Sequence, residues 1–222
     1  MAIVKTEAII LRRQEVRETS LLLIAFTRDL GKIQGLVKGV RGVGTAVPWY
    51  LEPLTLQSIV LYERKRSSTS LISACDLIDA FEPIRRDFVK VSYASLCLDL
   101  VDALTEILDP HPEIFELLLG ALKALAQEGD PRSVARYLEA QLLKASGLLP
   151  EGKSLALSPG GTLSLEQIFK TPPDRIGRLR LSRAVEEELK ATLYRLLLNA
   201  VGRPLKSRNF LQAVALEGLN GS

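Results

Sequence analysis

An N-terminal barrel of five short strands followed by an all-helical half, an α+β multidomain chain, is the architecture this sequence predicts. Three features predict it. Over residues 1–82 the apolar residues run in short β-branched and aliphatic stretches separated by turn chemistry. After Pro83 the apolar spacing becomes that of amphipathic helices. Charge is also divided along the chain. Residues 1–75 hold 11 Lys or Arg against 6 Asp or Glu (+5), residues 76–130 hold 4 against 12 (−8), and residues 131–222 hold 14 against 8 (+6).

The first strand runs from Val4 to Arg13, and the second from Ser20 to Arg28. The turn Asp29-Leu30-Gly31 leads into a third, Lys32–Arg41, whose residues alternate between two faces. Ile33, Gly35 and Val37 make a small apolar face, while Lys32, Gln34, Leu36 and Lys38 make the opposite one. Gly39, Gly42 and Gly44 clear the loop around Arg41, a plausible cradle for a phosphate backbone. A loop carrying Trp49 and Tyr50 precedes the fourth strand, Leu54–Tyr62. The charged turn Glu63–Ser68 separates it from the fifth, Thr69–Ile78. Five strands in about eighty residues fit an oligonucleotide-binding (OB) barrel, and their spacing is also open to an SH3-like barrel.

The helical half, residues 83–222, begins with a predicted helix over Arg85–Leu108 and a second over Glu113–Ala126. Asp130-Pro131 is a cap followed by a first-turn proline, so a third helix runs from there to about Ser146, where Gly147 ends it. An inserted loop region spans about 147–181, with Gly and Pro over 147–163 and a short helix opened by the capping-box spacing Ser164–Gln167. A long helix over Ser182–Asn199 and a short one around Ser207–Leu216 complete the chain.

No apolar run is long enough for a transmembrane helix, and the N-terminus lacks the order of a signal peptide. Two cysteines, Cys75 and Cys97, without a CxxC motif, indicate neither a disulfide framework nor a thiolate metal site. The expected location is the cytoplasm, associated with the nucleoid in a bacterium, and no membrane partner is expected. Catalysis is not indicated: P-loop, GxSxG, HExxH and GxGxxG patterns are all missing, and the single histidine, His111, has no visible partner. Cys97 lies in an apolar helical stripe and reads as core. No cofactor and no metal are expected.

Binding is better supported. Arg12, Arg13, Arg17, Arg28, Lys32, Lys38, Arg41, Arg64, Lys65 and Arg66 give the barrel a candidate phosphate-contacting set, with Trp49, Tyr50 and Tyr62 as candidate stacking platforms. A possible second basic surface comprises Arg175, Arg178, Arg180, Arg183, Arg203, Lys206 and Arg208. So few aromatic residues predict affinity carried by phosphates, weakly sequence-selective and strongly salt-dependent. Two other classes remain open on the residues alone: an RNA-binding OB-fold factor and a non-catalytic interaction adaptor.

Several segments, in order, resemble the RecO recombination mediator family. They are Glu7–Arg12, Glu18-Thr19-Ser20, Phe26–Lys32, Lys38–Arg41, Leu51–Leu54, Tyr93-Ala94-Ser95 with Leu98–Leu100, Phe115–Leu118, and Gly202–Leu211. The resemblance implies an OB barrel joined to a helical domain, binding of single- and double-stranded DNA, and annealing of complementary strands. It further implies work with RecR to load RecA onto DNA coated by the single-strand-binding protein SSB, whose C-terminal tail is an implied partner. Many family members carry a four-cysteine zinc motif within the region corresponding to 147–181. This chain has no cysteine there, so a segment held by packing is expected.

Overall fold

The computed structural model describes residues 3–16, 19–40, 48–62, 69–150, 155–208 and 211. Five strands, β1 (Ile3–Val16), β2 (Ser20–Thr27), β3 (Gly31–Val37), β4 (Leu56–Tyr62) and β5 (Thr69–Asp79), form a closed barrel in the order β1-β2-β3-β5-β4. The β3–β5 pairing is parallel and the others antiparallel. β1 serves two neighbours, β4 along its first half and β2 along its second, with a register shift between Ile10 and Arg12. An extra residue at Leu11 bends the strand, which lets one 14-residue element turn the corner that closes the barrel.

The barrel interior is filled by Ala8, Ile10, Leu21, Leu23, Ala25, Ile33, Ile59, Leu61 and Ile72, all buried. Gly35 belongs to the inward set of β3 because there is no room for more: a Cβ there would meet Ile72 Cδ1 at 2.2 Å. The inward and outward sets of β3 thus follow the sequence parity. The strand itself stops at Val37 rather than Arg41, and Gly39 follows with φ +69.

By backbone contact the chain divides into two units, one of Met1–Glu82 with Thr105–Phe115, the other of Pro83–Leu104 with Glu116–Ser222. In the first unit, residues 105–111 leave the helical pattern, and residues 107 and 108 run against the barrel. The Leu108 amide donates to the Lys32 carbonyl at 2.8 Å, and Lys32 bridges Ile107. This is why the first long helix, α2 (Phe88–Leu104), stops short of the predicted end at Leu108. It also starts later than expected, after the short α1 (Glu82–Arg85). The Asp87 carboxylate accepts from the Val89 and Lys90 amides at 2.9 and 3.1 Å, and Phe88 is 56% exposed.

The remaining helices are α3 (Pro112–Ala126), α4 (Pro131–Ala145), α5 (Pro159–Lys170) and α6 (Arg183–Val201). In the second unit α4 is central, packing against α2, α5 and α6, and every residue from Ser133 to Ala140 is buried. Its start is as read from the sequence: Pro131 occupies the first turn, and Asp130 Oδ2 accepts from the Ser133 amide at 3.0 Å and its hydroxyl at 2.6 Å. Asp130→Ala is expected to cost about 1 kcal/mol, the usual worth of an N-cap. A urea midpoint equal to the parent's would refute that assignment.

Helix α5 begins earlier than the capping-box spacing suggested. Ser158, not Ser164, is the cap, accepting from the Gly161 amide at 3.0 Å, with Pro159 in the first turn. Two glycines argued for a loop, but Gly161 is there for close packing: a Cβ would lie 2.5 Å from Glu188 Oε2. Residues 165–176 of the inserted region are packed against the helices. Ile168 and Ile176 are buried, the Tyr137 hydroxyl donates to the Thr171 carbonyl at 2.8 Å, and Gln141 donates to the Ile168 carbonyl at 3.1 Å. Helix α6 has the Ser182 cap and ends at Gly202, φ +72. Of the short last helix, residues 209–210 and 212–216 lie outside the described residues.

Candidate nucleic-acid interface

The ten barrel cations separate once their surroundings are known. Arg12, on the outside of β1, and Lys38, just past β3, are exposed. Arg13 is paired with Glu52 at 2.9 Å. Arg28 donates twice to Glu7 Oε2, at 3.0 and 2.7 Å, and its guanidinium lies 4.5 Å from the centre of the Phe115 ring. Such paired and stacked guanidiniums hold structure together and have less freedom to meet a phosphate.

Lys32 departs most from the reading of β3 as a basic strand. Its parity is outward, yet it is only 9% exposed, because residues 107–109 cross the strand at that point. The two lysines of one face therefore do not form an open pair. Arg17, Arg41, Arg64, Lys65 and Arg66 lie outside the described residues.

Of the candidate aromatic platforms, Trp49 is 58% exposed on a 3₁₀ turn, Trp49–Leu51. Tyr50 packs against the barrel core, and Tyr62 is half-buried at the end of β4.

The second basic set also divides. Arg175, Arg178, Arg183, Arg203 and Lys206 are exposed. Arg180 is exposed but its guanidinium holds the carbonyls of Gly177, Leu179 and Glu128 at 2.7, 2.9 and 3.2 Å. A groove of about 660 Å³ lies between the C-terminal end of α3 and residues 173–180, with Lys123, Arg178 and Arg180 set among Glu128 and Asp174.

Arg208 is a correction. It is 7% exposed, with its guanidinium 3.7 Å from the Tyr194 ring centre and Nη1 3.4 Å from Glu139 Oε1. Arg136 Nη2 reaches the same oxygen at 3.1 Å, and Arg136 Nε lies 3.8 Å from Glu186. Glu139 is fully buried; burial pushes its carboxyl above the usual range, while Arg136 and Arg208 pull it down. Arg136 Nη1 and Glu139 Oε2 have no hydrogen-bond partner among the described residues. A pocket of about 100 Å³ opens here, lined by Tyr93, Arg136, Glu186, Lys190 and Arg208. Sequence reasoning missed this cluster. Its signal was available: Arg136 and Glu139, three residues apart, share the helix with the inward positions Val134, Leu138 and Leu142.

His111, without a partner in the sequence reading, has two. Nδ1 is 2.9 Å from Glu113 Oε1 and Nε2 is 3.1 Å from Asp109 Oδ2. The hydrogen bond to Glu113, then that to Asp109, raises its pKa above the ordinary imidazole value. Both acids lie within two residues, so the clamp fixes the tip of the segment that crosses β3. The Cys97 thiol is fully buried and pushed up to about 12, as a core residue should be. Among the described residues no group of three or more His, Cys, Asp or Glu could hold a metal ion, and no helix is long and apolar enough to cross a membrane.

A closed five-stranded barrel of this strand order, followed by helices, defines an OB-fold protein with a helical C-terminal half. The family model described as Recombination protein O N terminal matches residues 1–81, and Recombination protein O C terminal matches residues 85–156. The chain is 24% identical to a DNA repair protein RecO of Moorella thermoacetica over 98% of its own length and 93% of the relative's. It is 27% identical to that of Pelotomaculum thermopropionicum over 95% and 94%, and 31% identical to that of Syntrophobacter fumaroxidans over 68% and 59%. The chain belongs to the RecO family of recombination mediators, and its role is in DNA repair.

Proposed function

We propose that this protein binds single- and double-stranded DNA chiefly through phosphates, anneals complementary strands, and acts with RecR to help load RecA onto SSB-coated DNA. The observation that carries the reading is an OB barrel with exposed cations at Arg12 and Lys38, both within the net-positive stretch 1–75, followed by a helical half with a second exposed set. Annealing requires two polyanions held close while their bases stay free to pair. Cations that neutralise phosphates without reading base edges meet that requirement.

The helical half is the expected receiver of the acidic SSB tail. Arg175, Arg178, Arg183, Arg203 and Lys206 supply positive charge at the surface, and the small pocket beside Arg136 and Lys190 offers a buried guanidinium edge to a carboxylate.

Titration of labelled single strands, duplex and RNA at two salt concentrations tests the DNA reading. Affinity is expected to fall steeply with salt, and Lys38→Ala or Arg12→Ala is expected to reduce the log–log slope by about 0.7 for single strands and about 0.9 for duplex, the loss of one phosphate contact. Lys32→Ala is expected to leave the slope unchanged, because that lysine is covered. Salt-independent binding refutes the phosphate mechanism; no DNA binding favours an adaptor, and a strong preference for RNA favours an RNA-binding factor.

A further inference from the structure

We propose that Trp49 is a stacking platform for one unpaired nucleobase, and that through it the protein distinguishes single strands from duplex. This rests on the DNA-binding reading and adds to it a contact that phosphates cannot supply.

Among the described residues around it in sequence, the exposure of Trp49 is isolated, unlike that of a protein-docking patch. Between residues 48 and 62 it is the only exposed residue. Leu51, two residues on, is 1% exposed in the barrel core, and Tyr50 packs against that core. A large apolar side chain standing alone in this way does not supply the contiguous area that protein recognition uses. It does supply the flat face on which a base stacks.

The turn beneath it is fixed by buried polar side chains. Gln57 and Thr55 are both fully buried. Gln57 Nε2 donates to the Tyr50 carbonyl, and the Thr55 hydroxyl donates to the Glu52 carbonyl at 2.9 Å. Within the turn, the Leu51 amide donates to the Pro48 carbonyl at 3.0 Å and the Glu52 amide to that of Trp49 at 3.2 Å. Arg13 holds the Glu52 carboxylate from β1 at 2.9 Å. Burying a polar side chain is unfavourable unless its donors are satisfied, and here the Gln57 amide nitrogen and the Thr55 hydroxyl both donate to the backbone of the turn that presents the indole. A platform mounted in this way loses little further freedom on binding. Its ring partner is Tyr50, at 6.3 Å between centroids and 80° between planes, an edge contact rather than a parallel stack. The stacking role is therefore not taken by another ring among the described residues.

Charge selects the occupant. From Leu30 to Leu51 the sequence carries three cations and no acid, and the next acid, Glu52, is neutralised by Arg13. An exposed aromatic face on a barrel that also carries the exposed Lys38 and Arg12 suits a polyanion that offers flat rings. In duplex those rings are already stacked on each other, and admitting the indole requires unstacking them. In a single strand they are accessible.

Trp49 is the only tryptophan, so the intact chain reports on itself. An oligo-dT of fixed length is expected to quench its emission saturably, and a blunt duplex of the same length is not. Trp49→Ala is expected to weaken oligo-dT binding by about tenfold, as loss of one stacked base does, while Trp49→Phe recovers most of it. Duplex affinity, followed by anisotropy of a labelled strand, is expected to stay within about twofold, since phosphate contacts are untouched. The proposal is overturned if oligo-dT binds with emission and Trp49→Ala affinity unchanged, or if that variant loses both DNA forms equally. Failure of the parent to bind either form overturns the DNA reading as well, and the two failures are thus told apart.

Discussion

Glu139→Ala is expected to destabilise the protein by about 3–5 kcal/mol, the usual cost of removing one partner from a buried ion pair. The carboxylate lies fully buried on α4 between two guanidiniums, Arg136 at 3.1 Å and Arg208 at 3.4 Å. Without it, two buried cations face each other with Glu186, 3.8 Å from Arg136, as the remaining counter-charge. The loss is also expected to release residues 205–208. That stretch is held by Arg208, by the buried Leu205, and by the Ser207 amide donating to Asp99 at 3.0 Å. Urea denaturation and limited proteolysis near Arg208 read the two effects. Glu139→Gln, which keeps the shape and removes the charge, is expected to fall between parent and alanine variant. A shift in stability below about 1 kcal/mol, the range of a solvent-exposed pair, would show that the cluster is not held by charge.

Gly31→Ala is expected to cost about 2–4 kcal/mol, combining left-handed backbone strain with lost backbone hydrogen bonding. Gly31 has φ +67, and a Cβ there would fall 1.9 Å from the Asp109 carbonyl oxygen. Both colliding groups are backbone, so no side chain can swing away. Segment 105–115 must lift from β3, the Leu108–Lys32 hydrogen bond of 2.8 Å is lost, and Lys32 becomes accessible. Gly39→Ala is the control: its φ is +69 but nothing lies within 4 Å of the new Cβ, so it is expected to cost only about 1–2 kcal/mol of strain. Faster exchange of the Leu108 amide in Gly31→Ala, and not in Gly39→Ala, is the expected signature. Equal effects of the two substitutions would rule out the crossing segment as the cause.

Local patterns carried much of the architecture. Alternation in β3 gave the correct faces, because adjacent side chains of a strand must diverge. Asp130-Pro131 marked the start of α4, because the cap chemistry acts within one turn. The reading failed where a local signal had two meanings. Ser158-Pro159 and Ser164–Gln167 both resemble helix starts, and the one used is the one whose cap, Ser158, donates from its amide and hydroxyl to Glu188, a residue 30 positions away.

The candidate interface was less legible, for a related reason. A cation's sequence position says whether it faces outward, but not what else arrives there. Lys32 faces outward and is covered by residues more than seventy positions later; Arg28 is held by Glu7 and Phe115; Arg208 is drawn inward by Glu139. By itself the sequence determined the barrel, the helices, their order and the uneven distribution of charge, since these follow from periodicity and capping within a few residues. Only the tertiary structure decided which cations remain exposed, because pairing and coverage depend on partners that the fold brings together from distant parts of the chain.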